Sequence, residues 1–376
     1  MSDGSSRFQR FLLPGLAFKS VVIGGGYATG RELAEFFLPS GPQGGIMGLV
    51  FALLIWSVVC AATFMFAQAT SSFEYRAFFR QLLGPFWHLF EIAYVLFMVL
   101  ILAVFAAAAG AIVQAMTGWP TLVGTLLLML GISLFCSFGN TLVERLFQWA
   151  SFFLYAVYAL FLLFTLTSFG DRIADNLQLP VSNDGWAMGG LTYASYNVVA
   201  AVVILPIARH FTCRRDALVA GVLAGPLAML PAILFFVCMI AWYPQIGEQT
   251  LPSDFILKQL DRPWFHVVFQ SMIFLALLES GVGAVHAINE RVAAAWQQRK
   301  HIVMPNTHRI AIAAIVLIGS VFVADRFGLI ALIAKGYRAL AWMFLIVYVL
   351  PLLTIGAWRL WEMRNSAVPE HRKIPA

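Results

Sequence analysis

Apolar positions run through this chain in long stretches, separated by short clusters of polar, proline and glycine residues. A helix needs roughly 18–20 apolar residues to cross a bilayer, and several of these stretches exceed that length. Ten can be read, over 11–37, 44–69, 87–116, 120–138, 142–168, 186–208, 217–242, 264–289, 308–324 and 330–357. Breaks between them fall at Pro39-Ser40-Gly41-Pro42, Gly84-Pro85, Trp119-Pro120, the polar run from Asp171 to Gly185, the segment from Pro244 to Arg262, and Pro305-Asn306-Thr307. The pattern predicts an all-α integral membrane protein with ten transmembrane helices.

Two of the ten spans are interrupted. The first carries Gly24-Gly25-Gly26-Tyr27-Ala28-Thr29-Gly30 where an unbroken helix is expected. Each glycine weakens a helix interior by about 1 kcal/mol relative to alanine, so this run is where the helix comes apart. Unwound backbone in hydrocarbon survives only where protein, water or a ligand satisfies its polar groups. The sixth span carries Gly189-Gly190 followed by Leu191-Thr192-Tyr193-Ala194-Ser195-Tyr196-Asn197. Its glycines can also be read as simple packing residues. Spans 1 and 6 are offset by an odd number, so equivalent segments cross in opposite directions. Interruptions at corresponding positions of inverted halves point to a transporter built on a five-plus-five inverted repeat. The repeats would cover 1–170 and 171–360, with a short tail over 361–376.

Composition fixes the solvent. The 376 residues are 61% hydrophobic and 11% charged, against about 25% charged for a soluble protein. Mean hydropathy is +0.84. The net charge of +6 does not indicate nucleic-acid binding, because the basic residues sit in short loops between spans. With the N-terminus in the cytoplasm, sixteen of the 24 basic residues lie inside and seven outside, with Lys19 within the first span. Both termini are therefore expected in the cytoplasm. The basic N-terminus ahead of an apolar stretch lacks a small-x-small cleavage site and reads as a retained span. Cys60, Cys136, Cys213 and Cys238 show no metal-ligand spacing, and no metal site is expected.

The segments Gly24 to Glu32 with Glu35-Phe36-Phe37, Glu279-Ser280-Gly281-Val282-Gly283 with His286 to Arg291, and Leu329 to Tyr337 together resemble the YkvI-type bacterial membrane proteins. This chain has Gly-Gly-Gly-Tyr where that family is expected to have Gly-Ala-Gly-Phe, which adds a phenol. The resemblance implies membership of the amino acid–polyamine–organocation superfamily. It further implies a bacterial cytoplasmic membrane location and a LeuT-type fold whose helices 1 and 6 are broken and face one another.

In that fold Gly24, Gly25, Gly26 and Tyr27 would belong to the substrate site, with the amides of Gly25, Gly26 and Tyr27 meeting a solute carboxylate at a half-helix N-terminus. The carbonyls around Ile23 would suit a cation. Tyr27, Tyr193, Ser195, Tyr196 and Asn197 would supply the other contacts to a small-molecule substrate. Glu279 is an acid within the eighth span, and it needs a proton, a partner or water there. Gly283, His286 and Glu290 follow it at helical spacing. The resemblance sets this part of span 8, with Ser280, against the first half of span 1, making Glu279, Ser280, Ile23, Lys19 and His286 candidates for coupling to H+ or Na+. A buried Glu279–Lys19 pair is the structural alternative. Arg31, Glu32 and Glu35 are gate candidates or a solvated helix end. No other cofactor is implied, and monomer and homodimer both remain open.

The expected function is secondary active transport of a small amine- or carboxylate-bearing solute, an amino acid or derivative, by alternating access. A membrane-embedded sensor using the same pocket is the alternative. A metal-ion carrier ranks lower, because the breaks offer no Asp or Asn in span 1 and no Met in the Tyr193–Asn197 cluster. An enzyme is not expected, since no aspartate lies inside any span and no serine–histidine arrangement is readable.

Overall fold

The computed structural model describes residues 6–366 apart from 24, 138–139, 183 and 303, and the regular structure among them is helical. The α-helices are α1 (Leu13–Val22), α2 (Gly25–Thr29), α3 (Arg31–Phe36), α4 (Gly41–Thr70), α5 (Tyr75–Leu83), α6 (His88–Thr117), α7 (Thr121–Ser137) and α8 (Asn140–Leu177). They continue with α9 (Trp186–Asn197), α10 (Val199–Val203), α11 (Arg214–Ile240), α12 (Pro252–Gln259), α13 (Pro263–Lys300), α14 (Asn306–Ala331), α15 (Arg338–Phe344) and α16 (Ala357–Ser366).

Among the described residues, six continuous segments are long and apolar enough to cross a membrane, not ten. The difference has local causes. The first and sixth expected spans are split into pieces too short to qualify. The fourth, α7, is short. The ninth and tenth fall in one continuous stretch, Asn306–Met363, jointed at Gly328, which takes φ 71° and ψ 167° inside α14. The other expected spans match helices within a few residues, except that α8 continues across a kink at Phe169 past the expected end at 168 to Leu177, and α13 past 289 to Lys300.

The helices pack in two groups. In one, α4 lies along α11, α1 packs on α11, and α9 packs on α4. Gly221 and Gly225 bring the α11 backbone against Ala61 and Ser57 of α4, where a methyl on either glycine would overlap them. Pro226 removes the donor that the Val222 carbonyl would otherwise receive, and Ser57 Oγ fills the gap at 2.9 Å. At the same end, Arg10 forks onto Asp216, with Nε to Oδ2 at 2.8 Å and Nη2 to Oδ1 at 2.7 Å. In the second group, α6 packs on α7 and α14, while α13 packs on α6, α7 and α8. The broken first helix lies at the seam. Its α2 touches α6 and α13, and its α3 touches α9 and the π-helical turn Leu332–Tyr337.

Candidate functional site

The first span breaks twice. α1 ends at Val22, and Ile23 leaves the helical region with ψ 79°. Gly24 lies outside the described residues, while Gly25 and Gly26 already open α2. Gly30 then adopts φ 79°, a left-handed conformation, before α3 restarts. A Cβ there would also overlap the Phe235 ring. Glycine is required twice over at this position, by conformation and by space.

The sixth span corrects the expectation drawn from its glycine pair. Gly189 and Gly190 sit inside continuous α9, and the helix runs on to Asn197. The turn comes at Val198, followed by α10, Ile204 and the 3-10 segment Leu205–His210 around Pro206. Both glycines serve close packing: a Cβ on Gly189 would overlap the Phe36 carbonyl oxygen, and one on Gly190 would stand 2.6 Å from that of Gly48.

A small cavity lies where the two interruptions meet. Val21, Val22 and Glu32 line it from the first span, and Tyr196, Asn197, Val199 and Ala200 from the sixth. Phe97, Ile101 and Phe105, at steps of four on α6, form an apolar wall, and Tyr337 closes another side. About 20 Å³ is open to the centre of a water molecule, room for about one water. Any solute larger than that requires the walls to part.

Glu32 is the carboxyl of this cavity. It is 5% exposed and accepts a 2.6 Å hydrogen bond from Tyr196 Oη. The Tyr196 ring lies 4.6 Å from that of Tyr337. Around them Phe36 packs on Tyr193 and Tyr196, and Trp56 packs on Tyr193. Among the described residues, the hydroxyls of Tyr27 and Tyr193 are buried with no hydrogen-bond partner.

The expectation of a solvated end at Arg31–Glu35 is overturned. Arg31 is 4% exposed; its Nη1 donates to the Gly247 and Gln249 carbonyls at 2.7 and 2.8 Å, and its Nη2 to Glu35 at 2.9 Å. Glu35 also approaches Arg338 at 4.0 Å. Arg31 thus binds the segment after α11 to the first span and takes Glu35 as its acid. Glu32 is left to the cavity.

The other candidates are dispersed. Tyr196 and Asn197 reach the cavity, whereas Ser195 faces α15 and donates to the Leu191 carbonyl at 2.7 Å. The Asn197 amide donates to the Tyr193 carbonyl at 3.1 Å. Lys19 does not pair with Glu279; its ammonium sits over the Tyr155 ring, 4.1 Å from the centroid. Glu279 and Ser280 are half-buried, and Glu279 has no salt bridge among the described residues. Gly283, His286 and Glu290 continue its stripe along an exposed face, where Glu290 pairs with Arg309 at 2.6 Å.

Sequence reasoning undervalued Glu32 and passed over the α6 wall and Tyr337. The signal for Glu32 was present. Arg31 and Glu35 stand at the i,i+4 spacing of a helical ion pair, which leaves Glu32 without a basic neighbour.

No protein-family model matches the sequence. The chain is 23% identical over 288 residues to the uncharacterized membrane protein YkvI of Bacillus subtilis, a match spanning 74% of this chain and 80% of that one. Among solved structures it resembles MhsT in complex with L-phenylalanine, with a TM-score of 0.54, 14% identity, and coverage of 97% and 99% of the two chains. It also resembles a mutant of the Eremococcus coleocola manganese transporter, with a TM-score of 0.57, 14% identity, and coverage of 92% and 78%. The fold is that of LeuT-type transporters. At this identity the likeness carries the architecture, and substrate choice must come from the side chains.

Proposed function

We propose that this protein is a secondary transporter of a small amine- or carboxylate-bearing solute, an amino acid or a relative, in the bacterial cytoplasmic membrane. One observation carries the reading: a buried carboxyl in an aromatic-walled cavity, placed where two interrupted helices meet at a seam between packing groups. Interrupted helices supply polar backbone at such a place while the rest of the wall stays apolar. The group containing α1, α4, α9 and α11 would rock against the other. The two repeats, 1–170 and 171–360, would supply equivalent halves of that motion, with both termini in the cytoplasm.

Closure at one end is served by Arg31, whose contacts to Gly247 and Gln249 must release before that end opens. The amides of Gly25, Gly26 and Tyr27 open a helical segment and suit a solute carboxylate. Glu279 on α13 is retained as a candidate for ion coupling, together with Ser280, Ile23, Lys19 and His286. A half-buried acid without a basic partner is suited to binding H+ or Na+.

The manganese transporter among the structural neighbours makes divalent cations a second solute class to test. Carboxylate, phenol and amide oxygens line the cavity, a donor set that tolerates a hard cation but brings one carboxylate to it.

Purified protein should be screened by thermal shift against amino acids, amines, carboxylates and Mn2+, since a specific ligand stabilises by mass action. Hits are then tested for uptake into proteoliposomes under imposed proton or sodium gradients. Gradient-driven accumulation is the expected result. A hit that binds and never crosses would identify a sensor instead.

A further inference from the structure

Among the described residues lining the central cavity, Glu32 alone carries a charge. Its carboxyl accepts the Tyr196 hydroxyl and enters no salt bridge among the described residues. The titratable groups around it are phenols: Tyr27 on α2, Tyr193 and Tyr196 on α9, and Tyr337 on the π-helical turn. Arg31 beside it is committed to Gly247, Gln249 and Glu35, and Glu35 to Arg31 and Arg338. Lys335 and Glu248 on the flanking segments are exposed at the surface. α6 contributes the apolar Phe97, Ile101 and Phe105. Glu279 lies on α13, which touches α2, and does not line the cavity.

A carboxylate held in such surroundings by a single phenol is left far short of its hydration in water. It is completed by a proton or by a cation. The rings of Tyr196, Tyr337, Phe97 and Phe105 favour a cation of a particular kind, because aromatic faces attract an ammonium group when water is excluded. Among the described residues, no basic side chain of the cavity wall competes for the place.

We propose that Glu32 is a single seat shared by a proton and by the ammonium group of the solute, so that the protein exchanges one for the other. On one side of the membrane the carboxylic O–H bond breaks, the proton leaves to water, and the carboxylate pairs with the incoming ammonium. On the other side the ammonium departs and the carboxylate regains a proton from water. One positive charge crosses in each direction, and no bond of the solute changes. The exchange rests on the transport reading above, whereas the competition for Glu32 is a property of binding alone.

The test uses purified full-length protein, 2-phenylethylamine as the probe and 3-phenylpropionate as its anionic counterpart. In weakly buffered solution the amine is expected to release about one proton per molecule bound, and the anion none. Over the acidic part of the range, apparent affinity for the amine should fall about tenfold per pH unit. Glu32→Gln should lose the proton release, and Glu32→Asp should restore it. Tyr196→Phe keeps the carboxyl and still releases the proton, which separates the seat from the packing around it.

Unchanged amine affinity between about pH 5.5 and 8 with no proton released would overturn the proposal. So would proton-coupled binding in Glu32→Gln, or failure of the amine to bind at all. Proton-coupled binding without amine flux into proteoliposomes would leave the shared seat standing and remove the transport reading. Flux of another solute by a protein that ignores the amine would do the reverse.

Discussion

The two interrupted helices of this protein use glycine in opposite ways. In the first span, glycines mark the places where the helix leaves its path: Ile23 turns out of the helical region just before the triplet, and Gly30 takes a left-handed conformation. In the sixth, Gly189 and Gly190 leave the helix intact and draw it against the backbone of Phe36 and Gly48. The contacts show how the difference works. Gly189 presses directly on the end of the broken first span and Gly190 on α4, so the regular helix wedges the end of the broken one in place. Tyr196, which meets Glu32, lies two turns further along that same regular helix.

Substituting alanine on each side separates the two uses. The largest loss is expected for Gly189→Ala, because backbone stands against backbone and no flexible side chain can yield. Thermal unfolding of the purified protein should show a cost of about 3 kcal/mol. Amine binding at Glu32 should fall with it, since α3 and α9 would be forced apart. A stable Gly189→Ala protein would mean that the two helices are not in contact as described.

Gly30→Ala comes next. A left-handed alanine costs about 1–2 kcal/mol, and the Phe235 ring must also shift. Unlike a backbone carbonyl, that ring can move. The expected sum is therefore below that of Gly189→Ala, at about 2 kcal/mol. If Gly30→Ala proves the more damaging of the two, conformation outweighs packing in this pair, and the ranking above reverses.

Much of the architecture was legible in the sequence, because hydrophobic runs and their punctuation respond to the bilayer and to local backbone preference. The limits of α4, α6, α7 and α11 follow directly from those runs. What the pattern could not give was the use made of a glycine or a charge. Gly189-Gly190 reads the same whether a helix breaks there or packs there, and only the partner, Phe36, decides it. The i,i+4 spacing of Arg31 and Glu35 leaves Glu32 over, but that Arg31 also ties down the loop carbonyls of Gly247 and Gln249, and that Glu32 then faces a cavity, depends on partners far along the chain. Glu279 stood out because it interrupts an apolar run, and depth in a run is not the same as enclosure. Its helix leaves it half-buried on the stripe that Gly283, His286 and Glu290 extend along an exposed face. Phe97, Ile101 and Phe105 are ordinary apolar residues of α6, and nothing local distinguishes them from any lipid-facing phenylalanine or isoleucine.

Removing the hydroxyl of Tyr193 probes the packed side more gently. That phenol is buried with no partner for its oxygen among the described residues, and an unsatisfied buried hydroxyl costs about 1–3 kcal/mol. Tyr193→Phe should therefore leave stability unchanged or raise it by up to about 1 kcal/mol in the unliganded protein. If the hydroxyl is instead a contact made only to bound solute, the same variant should weaken ligand affinity while raising the melting temperature. A loss of stability would place an internal partner on that hydroxyl and remove it from the candidate site.

The smallest effect is expected at Ser195, the residue before Tyr196 and yet on a different side of α9. Its hydroxyl returns to the Leu191 carbonyl of its own helix, and its neighbours are on α15. Ser195→Ala removes a bond that the backbone ladder already makes redundant, so stability should change by no more than about 0.5 kcal/mol. Affinity for any solute held at Glu32 should be unaltered. Because Ser195 and Tyr196 are adjacent in the chain, this pair gives the sharpest reading of which face of the sixth span meets the first. Loss of affinity in Ser195→Ala would rotate that face toward α15 and move the site away from the seam.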